Sequence, residues 1–293
     1  MITWFIYAIL AALFISGRDI ATKKALFKEH SLEFSTIAAL FVLILSVPFF
    51  FFIDFSQLPL TPIIILFFTT ILGATGLLLI AKSIKHMEIS SVTPLFILSP
   101  AITSVLAFIF LGEILTFNQV SGIVLLLFGA YILETKNHLL EPLRIFKTSK
   151  YVWYTVLGLL IFGVTAVFDR VVLFHYDLPV LAYLAFVHLF LALHFTIFLK
   201  IAKKTHGLKD IKDGIKTVGW WILLVACITV AARFAHASAV KIAFVGLVVA
   251  IKRMSSLVTI IFGGELFHEK NLVRKASATI IMILGMLLIV LWP

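Results

Sequence analysis

Lys252 and Arg253 stand side by side in AIKRMSSLV, in the middle of a run of apolar residues long enough to cross a membrane. Arginine presents a planar fork that grips a carboxylate or phosphate with two parallel hydrogen bonds, and lysine adds a compact point charge. A pair of this kind is suited to an anion. Ser255 and Ser256 follow with hydroxyls that can bind substrate oxygens or permit close helix packing, and Thr103 and Ser104 occupy the matching place in an earlier helix. Arg233, in VAARFAHASAVK, is a third cation inside an apolar run. One cation at a helix centre costs about 2.5–3.5 kcal/mol on insertion scales, and each apolar neighbour returns about 0.3–0.6 kcal/mol. Such a helix is tolerable only where its cations face protein or water. The hydrocarbon half-thickness of about 15 Å is too deep for Lys252 and Arg253 to reach an interface, which leaves a binding site or a structural ion pair. Arg233 lies closer to a helix end, where reaching the interface remains open.

Two further charged pairs recur in parallel places: Arg18-Asp19 late in one helix and Asp169-Arg170 late in another. Their equivalent placement suggests an internal ion pair or gate; interfacial charge is the alternative. Glu113 and Glu265 each close a helix after a glycine. An acid at a helix C-terminus opposes the macrodipole, so the expected role is capping the N-terminus of the next helix. His188, His194 and His236 read as hydrogen-bonded packing histidines. Pro94 and Pro100 free backbone groups in one helix, and a fixed kink is expected there.

These side chains need a scaffold, and composition identifies it. Of 293 residues, 62% are hydrophobic and 13% charged, with a mean hydropathy of +1.16. Soluble domains are about half apolar and about a quarter charged, so this is an all-α integral membrane protein. The runs do not alternate as barrel strands would. Helices are predicted at 2–26, 33–53, 61–84, 90–111, 117–134, 151–174, 178–199, 218–240, 243–265 and 272–292. The N-terminal run is read as a retained helix. Leu208, Ile211 and Ile215 have helical spacing among lysines, giving either a short helix on the membrane surface or a solvated basic loop.

The net charge of +10 is concentrated between the apolar runs. That is topogenic charge facing anionic lipid rather than a nucleic-acid surface. The charge rule places both termini outside. Cys227 is the single cysteine, so an intrachain disulfide is excluded.

The two halves resemble each other. TSVLAFIFLGE (103–113) lies over SSLVTIIFGGE (255–265), with Phe110 on Phe262, Gly112 on Gly264 and Glu113 on Glu265. TKKALF (22–27) lies similarly over DRVVLF (169–174). The expected division is a first five-helix repeat over 1–134, a linker over 135–150 and a second five-helix repeat over 151–293. Five is odd, so the second repeat is inverted relative to the first. Inverted repeats are a signature of secondary transporters, whose site lies near mid-membrane between the halves.

With PLFILSPAITSVLAFIFLGE (94–113), AIKRMSSLVTIIFGGELFHEKNL (250–272) and the closing GMLLIVL, the chain resembles the drug/metabolite transporter superfamily, and its EamA-type ten-helix members in particular. The resemblance implies cytoplasmic termini, against the charge rule. Phosphate-linked members of that superfamily also carry a Lys-Arg pair in the ninth helix, against anionic substrate groups. Here residues 99–100 are Ser-Pro and the fourth helix has no matching lysine, which argues against sugar-phosphate exchange.

The expected function is secondary transport of a small organic metabolite, anionic or zwitterionic, by alternating access in the cell membrane. The substrate-binding candidates are Lys252, Arg253, Ser255, Ser256, Arg233 and Thr103. Arg18, Asp19, Asp169 and Arg170 are candidates for a gate or ion pair. Partners are a small-molecule substrate and membrane lipid, with no nucleic acid, and the chain is read as a monomer or homodimer. No nucleophile–His–acid arrangement, Walker loop or metal-ligand spacing is present, so no catalytic residue, metal or cofactor is expected. A lipid-head-group flippase or a membrane-embedded lipid-modifying enzyme is the alternative. The enzyme would need titratable residues clustered at one depth, and none is visible along the chain.

Overall fold

A computed structural model describes residues 2–26, 31–86, 96, 98–134, 150–202, 207–255 and 272–291. Among the described residues there are ten α-helices and no strand. They are α1 (Ile2–Leu26), α2 (Ser31–Ser46), α3 (Leu60–His86), α4 (Leu98–Leu111), α5 (Phe117–Glu134), α6 (Lys150–Arg170), α7 (Val180–Ala202), α8 (Gly207–Ile242), α9 (Val245–Lys252) and α10 (Leu272–Leu291). The second span extends beyond α2 as 3₁₀ helix through Val47–Phe52, and the sixth beyond α6 as π-helix through Val171–His175. Five stretches are long and apolar enough to cross a membrane: Leu32–Phe52, Leu60–Ile80, Tyr151–His175, Val180–Ala202 and Trp220–Ile242. The chain is a multi-pass membrane protein.

The helices match the predicted runs, with three differences. The ninth run, predicted over 243–265, forms α9 only over Val245–Lys252 before a turn at 253–254, so Lys252 and Arg253 stand at the end of α9 rather than at a helix centre. Residues 207–217 are neither a separate surface helix nor a loop, because α8 runs unbroken from Gly207 to Ile242. Pro100 does not kink the described part of α4, for it stands in the first turn. A helix needs no amide donor there, so proline costs little. Pro94, Ser256 and Glu265 lie outside the described residues, as does the side chain of Asp19.

The packing repeats itself. The main helix pairs are α1 with α8, α3 with α6, α2 with α8, α3 with α7, α1 with α9, and α4 with α6. Exchanging each helix for the one five places away turns α1–α8 into α6–α3, α2–α8 into α7–α3, and α1–α9 into α6–α4. The pairs α2–α7, α4–α9 and α5–α10 map onto themselves. A two-fold relation between five-helix units produces this pattern, and it sets α4 against α9.

Without a hydrophobic drive between helices in lipid, close approach depends on small residues. At the α5–α10 crossing, a Cβ on Gly122 would lie 2.6 Å from the Gly285 carbonyl oxygen and 3.1 Å from the Ile289 amide nitrogen. At α4–α9, a Cβ on Gly246 would lie 3.1 Å from the Ser104 Cα. Backbone atoms cannot step aside as a flexible side chain can. Gly122→Leu should therefore force α5 and α10 apart and cost about 1–3 kcal/mol, the usual range for overpacking. Thermal unfolding in detergent reads this as a lowered midpoint; an unchanged midpoint would refute the crossing.

Candidate functional site

Side chains from five helices meet inside the bundle. α6 supplies Asp169, α7 supplies Tyr183 and His188, α8 supplies Arg233 and His236, α9 supplies Lys252, and α1 supplies Arg18. The Tyr183 hydroxyl donates a hydrogen bond to the Asp169 carboxylate. Arg233 and Lys252 lie within electrostatic reach of Asp169, and Arg18 within reach of both cations. His236 feels Lys252 and Arg233, and His188 feels Arg233. Asp169, Arg233, His236, Lys252 and Arg18 are each half-buried. At about 1.5 Å of rise per residue, Arg233 is about 14 Å from the end of α8 and Lys252 about 11 Å from the start of α9. Both are thus about half the thickness of a 30 Å hydrocarbon layer from the α8–α9 junction.

Arg253 closes α9 and is aimed by α4. Its Nε and Nη2 donate to Ser99 Oγ at 3.0 and 2.6 Å, and its guanidinium lies 5.6 Å from the centre of the Phe96 ring. The Ser-Pro that stands in place of a lysine in the fourth helix thus supplies an acceptor for this arginine. Ser255 is buried beside it in sequence. Thr103 is buried where α4 crosses α6, its backbone beside Gly163.

Arg170 has a different task from its neighbour. Its Nε donates to Glu113 Oε1 at 3.1 Å, and its Nη1 donates to the carbonyls of Val240 and Lys241 at 2.5 and 2.8 Å. Glu113 Oε2 accepts from the Val245 amide at 3.0 Å. The carboxylate therefore caps the start of α9, while the guanidinium caps the end of α8, each with the favourable sign for the helix dipole. The expected capping role of Glu113 is seen, but on α9 rather than on the next helix, α5. Gly112 makes this possible. It adopts φ +67°, open to glycine without strain, and the Gly112 and Glu113 amides donate back to Phe108 and Ala107. This reversal ends α4 with a left-handed glycine cap, the Gly112 amide bonding the Phe108 carbonyl, and brings Glu113 against α9. Lys241 completes the face with an ion pair to Asp177 at 2.8 Å.

Two histidines pack as expected. His188 Nδ1 bonds Ser46 Oγ at 2.6 Å, joining α7 to α2, and His194 Nδ1 bonds Thr70 Oγ1 at 3.3 Å, joining α7 to α3. Sequence reasoning missed Tyr183. One tyrosine in an apolar helix carries no signal until Asp169 is seen facing it. It also missed the cluster as a whole, whose members are contributed by separate helices.

Residues 2–135 match the model of the EamA-like transporter family, which agrees with the resemblance to the drug/metabolite transporters read from 94–113. The match covers a little under half of the chain, and the family it names is one of transporters. No curated protein sequence matches the chain. Among solved structures, one crystal structure of a protein 13% identical has a TM-score of 0.74, covering 98% of this chain and 96% of that one. At that identity the likeness is one of fold.

Proposed function

We propose that the protein is a secondary transporter of a small organic anion or zwitterion, working by alternating access across the cell membrane. The two units are residues 1–134 and 151–293, joined by 135–150. The observation that carries this reading is the nearness of two half-buried cations, Arg233 on α8 and Lys252 on α9, close enough to act on each other electrostatically within apolar helices. Intramembrane charge is costly and is retained where it serves a substrate or ion path. The ion pairs Arg170–Glu113 and Lys241–Asp177 are made elsewhere, and Arg233 and Lys252 enter neither. Asp169 is one carboxylate against several cations here, and a substrate carboxylate or phosphate would add counter-charge, with Arg253 held by Ser99. The internal two-fold pattern supports a site between halves that rock against each other. A cluster of titratable residues at one depth also meets the condition set for an enzyme. Its surplus of cations over acids among the described residues favours binding an anion over proton-transfer catalysis.

Counterflow into proteoliposomes tests the proposal. Vesicles preloaded with unlabelled dicarboxylates, organic phosphates or amino acids should accumulate the matching labelled compound transiently, and vesicles preloaded with organic cations should not. Accumulation of cations alone would refute the electrostatic reading.

A further inference from the structure

The crossing of α4 and α9 is bonded at two places, and the two bonds differ in kind. At the head of α9, Glu113 Oε2 accepts from the Val245 amide at 3.0 Å while Glu113 Oε1 pairs with Arg170 at 3.1 Å. Both side chains of that ion pair are buried. Beside it the two helices come closest, where a Cβ on Gly246 would lie 3.1 Å from the Ser104 Cα. Beyond the other end of α9, Arg253 reaches back to the first turn of α4. Its Nε and Nη2 both donate to the single Oγ of Ser99, at 3.0 and 2.6 Å. The first bond joins two buried charges. The second joins a cation to a neutral hydroxyl, about 10 Å further along the chain at 1.5 Å of rise per residue.

Nε and Nη2 carry the two parallel hydrogens of the guanidinium edge that fits a carboxylate, sulfate or phosphate side-on. Ser99 meets that edge with one uncharged oxygen, which must accept both hydrogens. An oxyanion brings two oxygens at the matching spacing, and it adds the Coulomb attraction that a hydroxyl lacks. We propose that Ser99 is a placeholder: an anion with two adjacent oxygens takes its position on the Nε–Nη2 edge of Arg253 and thereby unlatches the end of α9 from α4. The inference rests on the reading of Arg253 as an anion-binding residue.

The exchange trades the two hydrogen bonds to Ser99 for two to the anion. The displaced serine keeps its own O–H, which can then donate to an anion oxygen. Glu113 meanwhile holds the head of α9 in place, so the crossing loosens at one end only. Since α4 and α9 are the helices that the two-fold packing pattern exchanges, the bond given up is one between the two five-helix units. The placeholder also sets specificity. A halide accepts both hydrogens on one atom, as Ser99 already does, and forgoes the two-point fit. The site therefore selects oxyanions over halides.

Titration calorimetry of the full chain in detergent and halide-free buffer tests this, with succinate and sulfate as probes. A competitor's removal must tighten binding. Ser99→Ala should therefore bind both probes about 3- to 30-fold more tightly than the wild type, the worth of one hydrogen bond to a charged group less what the freed arginine regains from water. Ser99→Thr keeps the hydroxyl and should bind as the wild type does. On the wild type alone, chloride at the concentration of the probe should leave the titration unchanged. Weaker binding by Ser99→Ala, restored in Ser99→Thr, would make Ser99 a fixed support for Arg253 and overturn the placeholder while leaving the anion site standing. Unchanged binding by Ser99→Ala, or displacement of sulfate by equal chloride, would overturn it as well. Failure of both probes to bind the wild type at millimolar concentration would refute the anion site, and the placeholder with it.

Discussion

Arg253→Gln should lower substrate uptake in proteoliposomes by about 10- to 100-fold while the purified protein melts at or above the wild-type temperature. A hydrogen bond to a charged group contributes about 1.5–3 kcal/mol, and about 1.4 kcal/mol is a factor of ten, which sets the range. The variant loses both the charge and the fork that Ser99 orients. Stability is expected to hold because a cation at membrane depth is removed rather than added. Lys252→Gln should have an effect of the same order. Arg253→Lys should fall between wild type and Arg253→Gln, since it keeps the charge and gives up two-point geometry. Uptake by both glutamine variants at the wild-type rate would mean that the pair serves no substrate.

Glu113→Ala should be the most destabilising single change, at about 3–5 kcal/mol. Removing one partner of a buried ion pair leaves the other charged and uncompensated. Arg170 is 5% exposed, so it cannot find water in place of the carboxylate. The Val245 amide at the head of α9 loses its acceptor as well. Adding Arg170→Met should recover part of the loss by replacing the stranded cation with an apolar side chain of similar length, although the carbonyls of Val240 and Lys241 then lose their donor. The four proteins form a double-mutant cycle. Thermal unfolding followed by size-exclusion chromatography should show strong coupling between the two positions. Additive losses would contradict the clamp.

The helices were legible because hydrocarbon thickness demands long apolar runs, and such runs survive any uncertainty about their ends. The repeat was legible because polar residues recur in the same order in both halves. The site was only partly legible. Asp169 and Arg170 are adjacent in sequence and look like one charged pair, yet consecutive side chains on a helix point about 100° apart. One turns into the cluster with Tyr183, and the other turns to Glu113 and the end of α8. The role of Glu113 as a cap could be inferred from the cost of an acid at a helix terminus. The helix it caps could not, because α9 begins far along the chain and arrives through tertiary packing. Tyr183 and Ser99 carry no mark in the sequence, for each gains its meaning from a charged residue on another helix.

The most direct test of the anion site is a structure determined with a labelled compound that passes counterflow. The account predicts density for its carboxylate or phosphate within hydrogen-bonding distance of Lys252 and Arg253, with Arg233 and Asp169 bordering it. Density for the acidic group against Arg170 and Glu113, or a bound cation beside Asp169 with Lys252 and Arg253 untouched, would contradict it.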